Sequence, residues 1–256
     1  MGRPGGGATS AAVLIIGDEI LSGRTQDTNL RDIARYLAAR GVDLLEARTV
    51  PDVLEEIVAA LNALRTRYDY VITTGGIGPT HDDITADAVA AAFGVELVEH
   101  PEIIAMLESR WGEGGLTSAR RRMARVPVGG ELVKNPVAGP PGFTIGNVFV
   151  LAGVPQIMRG MLEDVGPRMK GGAVVVSRTL RVEGHGEGMI ADTFERIANA
   201  HPEMSLGSYP FYGEGGFGTN LVLRGRDPAE VERALGELVE ALKGVGVESV
   251  REVPTA

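Results

Sequence analysis

The sequence predicts an α/β fold, in which a mostly parallel sheet of the Rossmann type is followed by a smaller α+β unit. Residues 11–16 form an uninterrupted apolar run that ends at Gly17, as in a parallel strand buried on both faces. Further short apolar runs alternate with segments of helical periodicity. The loop TTGGIGPTHDDIT, residues 73–85, stands where one such run gives way to a helix. Together these features indicate strands and helices that alternate along one sheet.

The elements next to the first strand follow from periodicity and capping residues. After the loop GDEILSGRTQDTN, apolar residues recur at helical spacing through residues 30–38, and Gly41 is suited to a left-handed cap. Residues 42–50 predict a second strand. Pro51 and Asp52 predict the start of another helix, because proline suits a first turn and an acidic side chain suits its positive end.

The rest of the chain divides into two predicted domains. The first continues with a strand at 70–74, helices at 83–93 and 101–111, a hairpin within 142–153 and a helix from Pro155 to near Pro167. The Gly-, Pro- and Arg-rich residues 112–142 give no clear pattern. The second has strands at 173–182, 205–212, 217–224 and 245–250 and helices at 187–200 and 227–243. The predicted organisation is a loose tail (1–10), a main domain (11–171) and a small α+β domain with two helices on one sheet face (172–256).

Composition limits the classes of function. The 256 residues include no cysteine, which excludes disulfides and thiolate metal sites and favours a cytoplasmic location. No apolar run approaches the roughly 20 residues of a membrane span, so no membrane partner is expected. With 25 basic and 34 acidic residues, the chain is not expected to bind nucleic acid over a broad surface. A small anionic ligand held by backbone N–H groups and a metal is compatible with this charge.

The loop TTGGIGPTHDDIT carries the strongest motif. Gly75, Gly76 and Gly78 permit positive φ and close backbone approach, so that successive N–H groups can point at a phosphate. Thr74 and Pro79 flank them, and both of these residues, together with Thr85, are further candidate ligand contacts. The alternative is a tight turn with aspartate capping the following helix. The loop lacks the lysine of a P-loop, and the first strand is followed by no GxGxxG motif, so neither an NTPase of that type nor a dinucleotide oxidoreductase is predicted.

Acidic residues next to this loop predict a metal site. Asp82 and Asp83, followed by Thr85, would repel a phosphate unless a hard divalent cation lay between them. Asp83 is the first candidate for catalysis and metal binding, and Asp52, which follows a strand at the same end of the sheet, is the second. For both Asp52 and Asp83 the alternative is an ordinary helix cap. His81 lies beside the pair and is more typical of a polar turn residue.

The loop after the first strand supplies a further set of candidate ligand contacts. Gly17, Asp18, Glu19, Asp27 and Asn29 stand at the carboxyl end of that strand, where open α/β sheets place their ligands. The alternative for Asp27 and its neighbour Thr28 is capping of the next helix.

Two proline- and glycine-rich segments also contain candidate ligand contacts. NPVAGPPGF contributes Asn135, Pro141 and Gly142, and AGVP contributes Gly153. Both segments predict rigid turns that could close a site, and the alternative is that they serve loop geometry alone.

These motifs, in this order, resemble the molybdopterin-binding domain of the CinA (competence/damage-inducible protein A) family over residues 12 to about 168. More distantly, the segment resembles the MoaB/Mog enzymes of molybdenum cofactor synthesis. The resemblance implies a three-layer fold of the MoaB/Mog type and either molybdopterin or a nucleotide as ligand. In the Mog-type enzymes the residues that match Asp52 and Asp83 serve magnesium and adenylyl transfer, and the CinA family is associated with ADP-ribose pyrophosphatase activity.

Residues 173–251 are similar to the KH-like middle domain of the same family. Residues 172–256 hold 8 basic and 13 acidic side chains, so we interpret this domain as a packing or dimerisation module without a nucleic-acid role. The chain departs from the family pattern at Ala138-Gly139-Pro140 and at Ala152, which bears on substrate preference. It stops before the family's amidohydrolase domain, so nicotinamide-nucleotide deamidation is not expected.

The leading hypothesis is a metal-dependent nucleotide pyrophosphatase that cleaves ADP-ribose, with Mg or with Co, Ni or Mn as the metal. The alternatives are a non-catalytic protein that binds molybdopterin or a nucleotide, and a molybdopterin adenylyltransferase. The CinA resemblance favours a dimer over the trimer of the Mog-type enzymes.

Overall fold

In the computed structural model, which describes residues 8–112, 114–213 and 216–254, the chain divides into two compact units. One unit extends to Gly172 and the other begins at Ala173. Of the predicted tail, residues 1–7 lie outside the described residues.

The first unit is built on a six-stranded sheet with a separate two-stranded pair. Its strands are β1 (Ser10–Ile16), β2 (Asp43–Val50), β3 (Tyr70–Thr74), β4 (Leu97–Glu99), β5 (Arg125–Pro127), β6 (Glu131–Val133), β7 (Gly142–Ile145) and β8 (Val148–Leu151). Its helices are α1 (Asp18–Leu21), α2 (Asn29–Ala38), α3 (Leu54–Arg65), α4 (Thr85–Phe93), α5 (Pro101–Trp111), α6 (Ser118–Arg122) and α7 (Pro155–Val165), followed by a 3-10 turn at Gly166–Arg168.

The main sheet is mostly parallel, as predicted. Its strand order is β2-β1-β3-β8-β7-β6, with β2, β1, β3 and β8 parallel to one another and β7 and β6 antiparallel to their neighbours. The strands β4 and β5 form the antiparallel pair.

Helices cover both faces of the sheet, which confirms three layers. Ala12 and Leu14 of β1 belong to one hydrophobic cluster, while Val13 and Ile15 belong to the cluster on the opposite face. The first cluster is completed from α3, α4 and α5 by Ile57, Leu61, Val89, Ile103 and Leu107. The second is completed from α2 and α7 by Ile33, Leu37, Met158 and Leu162. Each such side chain stabilises the fold by about 1.5–3 kcal/mol when fully buried.

Several predicted boundaries in the first unit are wrong for local reasons. The helix expected from Pro51 begins at Leu54, and the helix expected from Asp83 begins at Thr85. Neither has a side-chain cap. The loop after β1 contains the short helix α1. The unassigned stretch 112–142 contains α6, β5 and β6, and β4 was not expected.

The second unit is a four-stranded antiparallel sheet with two helices on one face. Its elements are β9 (Val176–Glu183), α8 (Glu187–Ala200), β10 (Ser205–Gly213), β11 (Gly216–Gly225), α9 (Pro228–Gly244) and β12 (Val250–Val253). The strand order is β10-β11-β9-β12. Leu180 and Leu221 face Ile190 of α8 and Leu238 of α9 in one cluster. In the described part of the chain, no helix combines the length and apolar character of a bilayer span.

The last strand lies later than the predicted 245–250. Gly246 adopts a φ of +81°, and the Val247 N–H donates to the carbonyl of Leu242 at 3.0 Å. Val247 is fully buried in the cluster of the second unit. Its apolar character therefore reflects a capping contact after α9, because the chain turns here before it forms β12.

His201 links the two helices of the second unit and makes its stability depend on pH. It lies at the end of α8 and is 4% exposed. Its Nδ1 is 2.6 Å from Glu230 Oε1, and its Nε2 is 2.9 Å from Glu237 Oε2, both on α9. Hydrogen bonding to Glu230 and then to Glu237 raises the pKa of His201, whereas burial opposes the shift. Hydrogen bonding to His201 lowers the pKa of Glu230.

We expect the second unit to lose stability on both sides of a pH window. A histidine whose folded pKa is raised contributes stability that is fully present below its unfolded pKa of about 6.5 and is lost as pH rises through the folded value. Glu230 contributes stability that is present above its unfolded pKa of about 4.3 and is lost as pH falls through the lowered value. The free energy of unfolding, measured with urea from pH 5 to 9, should therefore fall toward alkaline pH.

His201→Gln should flatten this alkaline decline, since glutamine does not titrate. His81→Gln is the matched control, because His81 is 95% exposed. An alkaline decline of the same size in His201→Gln and in the wild type would refute the assignment.

Candidate functional site

Four parallel strands end at one edge of the main sheet and bring distant segments of the chain together. The Gly17 N–H, just after β1, donates to the carbonyl of Val50 at the end of β2 at 3.2 Å. The Gly75 N–H, just after β3, donates to the carbonyl of Leu151 at the end of β8 at 3.3 Å. Gly153 follows β8 at the same edge, with an ideal Cβ position 3.3 Å from the Gly75 Cα. Open α/β sheets bind their ligands at such an edge.

The glycine loop after β3 is held in a conformation that only glycine tolerates. Gly75 has a φ of +105°, and a Cβ there would lie 2.1 Å from the carbonyl oxygen of Ile16. Gly76 has a φ of +65°, and its Cβ would lie 2.2 Å from Thr85 Oγ1. Buried Thr85 fixes the loop, because its hydroxyl donates to the Gly75 carbonyl at 2.9 Å and its N–H to the Gly76 carbonyl at 3.0 Å.

The same loop presents consecutive unpaired amides. Within the described residues, the N–H groups of Gly76, Ile77 and Gly78 donate to no acceptor. A run of free N–H groups that precedes a helix is an arrangement that favours an anion. The loop therefore has the groups that the sequence predicted for a phosphate cradle, while Pro79 beside it is exposed.

Asp52 lies at this edge among other carboxylates. Its Oδ2 accepts a hydrogen bond from the Asp18 N–H at 2.9 Å. The side chain does not cap the helix that follows it, so the alternative of an ordinary helix cap is wrong for Asp52. Burial raises the pKa of Asp52, the hydrogen bond from Asp18 lowers it, and the negative charges of Asp18, Glu19 and Asp82 raise it further. This crowding of negative charge would be relieved by a bound cation.

The two aspartates of the loop have different surroundings. Asp83 Oδ2 accepts from the Thr80 N–H at 2.8 Å and lies 2.6 Å from the ideal Cβ position of Gly78, so Asp83 is beside the cradle. Asp82 is exposed, and a hydrogen bond from Thr80 lowers its pKa. His81 is 95% exposed and 4.0 Å from Asp82.

In the described part of the chain, no three acidic or histidine side chains are already arranged around one point as metal ligands. A Mg²⁺ ion usually takes one or two protein carboxylates and completes its shell with water and substrate phosphate. The oxygen donors of Asp52 and its neighbours fit an ion of this kind and do not fit an all-protein cage.

A cleft of about 70 Å³ opens on one side of the glycine loop. It is lined by Glu19, Asp27, Asn29, Thr74, Gly75 and Gly153, among others. Asn29 Nδ2 donates to the Gly153 carbonyl at 2.8 Å, whereas Asn29 Oδ1 and Thr74 Oγ1 are buried without a hydrogen-bond partner. Unpaired buried polar atoms are costly, so these two atoms are candidates for ligand contact.

Asp27 takes the capping role that the sequence offered as an alternative. Its carboxylate accepts from the N–H groups of Asn29 at 3.3 Å and Leu30 at 3.1 Å, in the first turn of α2. Thr28 provides no side-chain cap. Asp27 therefore holds the first turn of α2, whose Asn29 lines the cleft.

The proline-rich turn is organised by its own asparagine. Asn135 Nδ2 donates to the carbonyl of Pro140 at 3.0 Å, and its Oδ1 accepts from the Val137 N–H at 3.0 Å. Gly142 begins β7, where a Cβ would lie 2.2 Å from the carbonyl of Val150, so glycine here serves strand packing. Pro141 and Gly78 both line a second, smaller cleft.

Sequence reasoning missed one hydrogen bond and one residue at this edge. The sequence predicts Asp18 in a loop, whereas the structure places it in the short helix α1, where its N–H donates to Asp52. Arg122 of α6 lines the second cleft together with Gly78. The only available signal for Arg122 was the arginine-rich composition of residues 112–142.

Comparisons with known proteins agree with this architecture. A family profile described as "Probable molybdopterin binding domain" matches residues 12–171, and one described as "FAD synthase, middle domain" matches residues 174–251. A CinA-like protein of Gemmatimonas aurantiaca is 37% identical over 246 residues, which cover 90% of this chain and 57% of the relative. The chain thus spans little more than half the length of that relative.

Two archaeal proteins match at similar levels. A protein of Archaeoglobus fulgidus is 32% identical over 230 residues, covering 90% of this chain and 96% of the relative. The crystal structure of the protein CinA from Thermoplasma acidophilum superposes with a TM-score of 0.60 at 34% identity, over 63% of this chain and 98% of that chain.

Proposed function

This chain belongs to the family of CinA-like proteins with a molybdopterin-binding domain, and we propose that it is a metal-dependent nucleotide pyrophosphatase that cleaves ADP-ribose. The observation that carries the proposal is the run of unpaired N–H groups at Gly76, Ile77 and Gly78, facing the same edge as the crowded carboxylate of Asp52. The unpaired N–H groups can bind a phosphate, and the carboxylate can bind a cation that accompanies the phosphate.

The proposed reaction uses the chain's own groups to bind and orient the diphosphate. The loop amides hold phosphate oxygens, and their fixed positions cost no reorganisation as negative charge develops. Water attacks one phosphorus, the phosphoanhydride P–O bond breaks, and AMP and ribose 5-phosphate leave. A divalent cation, when bound, would neutralise phosphate charge and lower the pKa of bound water. Asp52 and Asp83 would hold it, with Asp82 close by.

The first cleft is proposed to hold a polar group of the substrate. Asn29 Oδ1 accepts a hydrogen bond, and Thr74 Oγ1 can donate or accept one. A ribose hydroxyl or an amino group would satisfy both. The cleft is narrow, which favours one such group over a whole ring system.

A second candidate function is supported by the same free acceptor. The amino and amide edge of a pterin presents N–H groups that could donate a hydrogen bond to Asn29 Oδ1. Molybdopterin binding or adenylylation is therefore the alternative. Adenylyl transfer requires ATP and the pterin together. Formation of an adenylylated pterin when both are supplied, without AMP release from ADP-ribose, would favour it.

The expected assembly is a homodimer rather than a trimer, and the expected compartment is the cytoplasm. The second unit is proposed to support packing or dimerisation. Among its described residues, the two helices cover one face of the sheet.

The decisive experiment is turnover of ADP-ribose by the purified protein with Mg, Mn, Co or Ni. We expect AMP and ribose 5-phosphate to form in equal amounts, as measured by chromatography. No product should form when EDTA removes the metal. Asp192→Asn, which changes an exposed carboxylate in α8, is the control variant and should retain the wild-type rate. The absence of both products with every metal would overturn the pyrophosphatase proposal.

A further inference from the structure

An arginine outside the predicted motifs borders the glycine loop. Arg122, the last residue of α6, lines the second cleft together with Gly78, Pro141 and Arg125. Gly78 belongs to the run of unpaired amides, so the cleft adjoins the proposed phosphate cradle. Arg122 is partly buried there.

The neighbouring arginines are paired, and Arg122 is not. Arg121 Nη1 lies 2.6 Å from Glu99 Oε2, and Arg125 forms a bidentate pair with Asp87 at 2.7 Å for each bond. Within the residues that the structure describes, the guanidinium of Arg122 makes no ion pair or hydrogen bond, although its backbone carbonyl accepts from Arg125 Nε. A partly buried cation without a partner is an unusual arrangement in a protein of net charge -9.

The pairing of Arg125 gives Arg122 its position. The bidentate Asp87 contact joins the segment after α6 to the first turn of α4, the helix that follows the glycine loop. The segment that carries Arg122 is therefore anchored beside that loop. A planar guanidinium in such a place matches the geometry of phosphate oxygens and can bind two of them at once.

We propose that Arg122 is a phosphate-binding residue of this site and contacts the oxygens of the substrate diphosphate opposite the loop amides. This inference rests on the proposed function. It adds a positive charge beside an edge where Asp52 lies among other carboxylates. The ligand class that it selects is a nucleoside diphosphate or its ester, and an uncharged nucleoside gains nothing from it.

The test compares ADP with adenosine as probes in the presence of Mg²⁺, by calorimetry on the full chain. A hydrogen bond to a charged group is worth about 1.5–3 kcal/mol, so Arg122→Gln should weaken ADP binding by about 10- to 100-fold. Adenosine binding should not change. Arg122→Lys should bind ADP more tightly than Arg122→Gln does, because lysine keeps the positive charge but lacks the planar guanidinium that can bind two oxygens at once.

Arg121→Gln is the matched control. It removes a cation from the same short helix, but one that is 42% exposed and already paired with Glu99. It should leave both affinities unchanged. Thermal unfolding of each variant checks that the fold is intact.

The outcomes separate the two proposals. If the wild type binds ADP more tightly than adenosine and Arg122→Gln keeps that preference, the role of Arg122 is refuted while the phosphate cradle stands. If the wild type shows no preference for ADP, both the inference and the proposed function fail.

Discussion

Asp52→Asn is expected to reduce ADP-ribose turnover by about 100-fold or more while leaving the fold intact. Lewis-acid stabilisation by a bound metal is worth several kcal/mol, and each 1.36 kcal/mol corresponds to a factor of ten in rate. Asparagine has the size of aspartate and keeps an oxygen that can accept from the Asp18 N–H, now 2.9 Å from the carboxylate. The loss should therefore come from the missing charge.

Stability separates this effect from simple damage. Burial and the charges of Asp18, Glu19 and Asp82 raise the pKa of Asp52, so the ionised form is under repulsion in the folded state. Removing its charge should leave the midpoint of thermal unfolding unchanged or higher, in contrast to the rate. Asp83→Asn should lower turnover in the same direction, whereas Asp192→Asn should change neither quantity. Wild-type turnover in Asp52→Asn with every metal tested would end its assignment as a metal ligand.

The central strands β1, β3 and β8 could be predicted from the sequence because they are short and almost entirely apolar or buried. The strand at 70–74 coincides with β3, and the helices at 101–111 and 187–200 coincide with α5 and α8. These elements have one unambiguous period and clear ends. The three-residue strands β4, β5 and β6 could not be predicted in the same way, since three residues carry no period and their pairing depends on distant partners.

The position of the site was predictable for a similar reason, and its contacts were not. Residues that directly follow parallel strands must meet at one edge, which placed Asp52 and the glycine loop together. The hydrogen bond from the Asp18 N–H to Asp52 joins residues from two different strand ends, and local capping rules predict a helix cap instead. Arg122 lines a cleft together with Gly78, and the neighbouring bidentate contact of Arg125 with Asp87 is one that no local pattern indicates.

Gly75→Ala is expected to destabilise the first unit by about 3 kcal/mol or more. The new Cβ would lie 2.1 Å from the carbonyl oxygen of Ile16, far inside van der Waals contact, and φ at this position is +105°. Strain of this backbone type costs about 1–3 kcal/mol before the clash is counted. Ile16 cannot move away, because β1 is paired on both sides by β2 and β3 and Ile16 is only 2% exposed. Urea unfolding of the full chain measures the change.

Gly23→Ala separates the clash from the φ strain. Gly23 has a φ of +71°, and its Cβ would meet nothing within 4 Å, so this substitution should cost only about 1–2 kcal/mol. An equal loss of unfolding free energy in both variants would show that Ile16 does not constrain the glycine loop. If Gly75→Ala folds, the loop must shift to relieve the contact, and the N–H groups of Gly76, Ile77 and Gly78 should lose their alignment. ADP binding should then weaken in Gly75→Ala and remain normal in Gly23→Ala, since the same backbone geometry that excludes a side chain also positions the proposed phosphate donors.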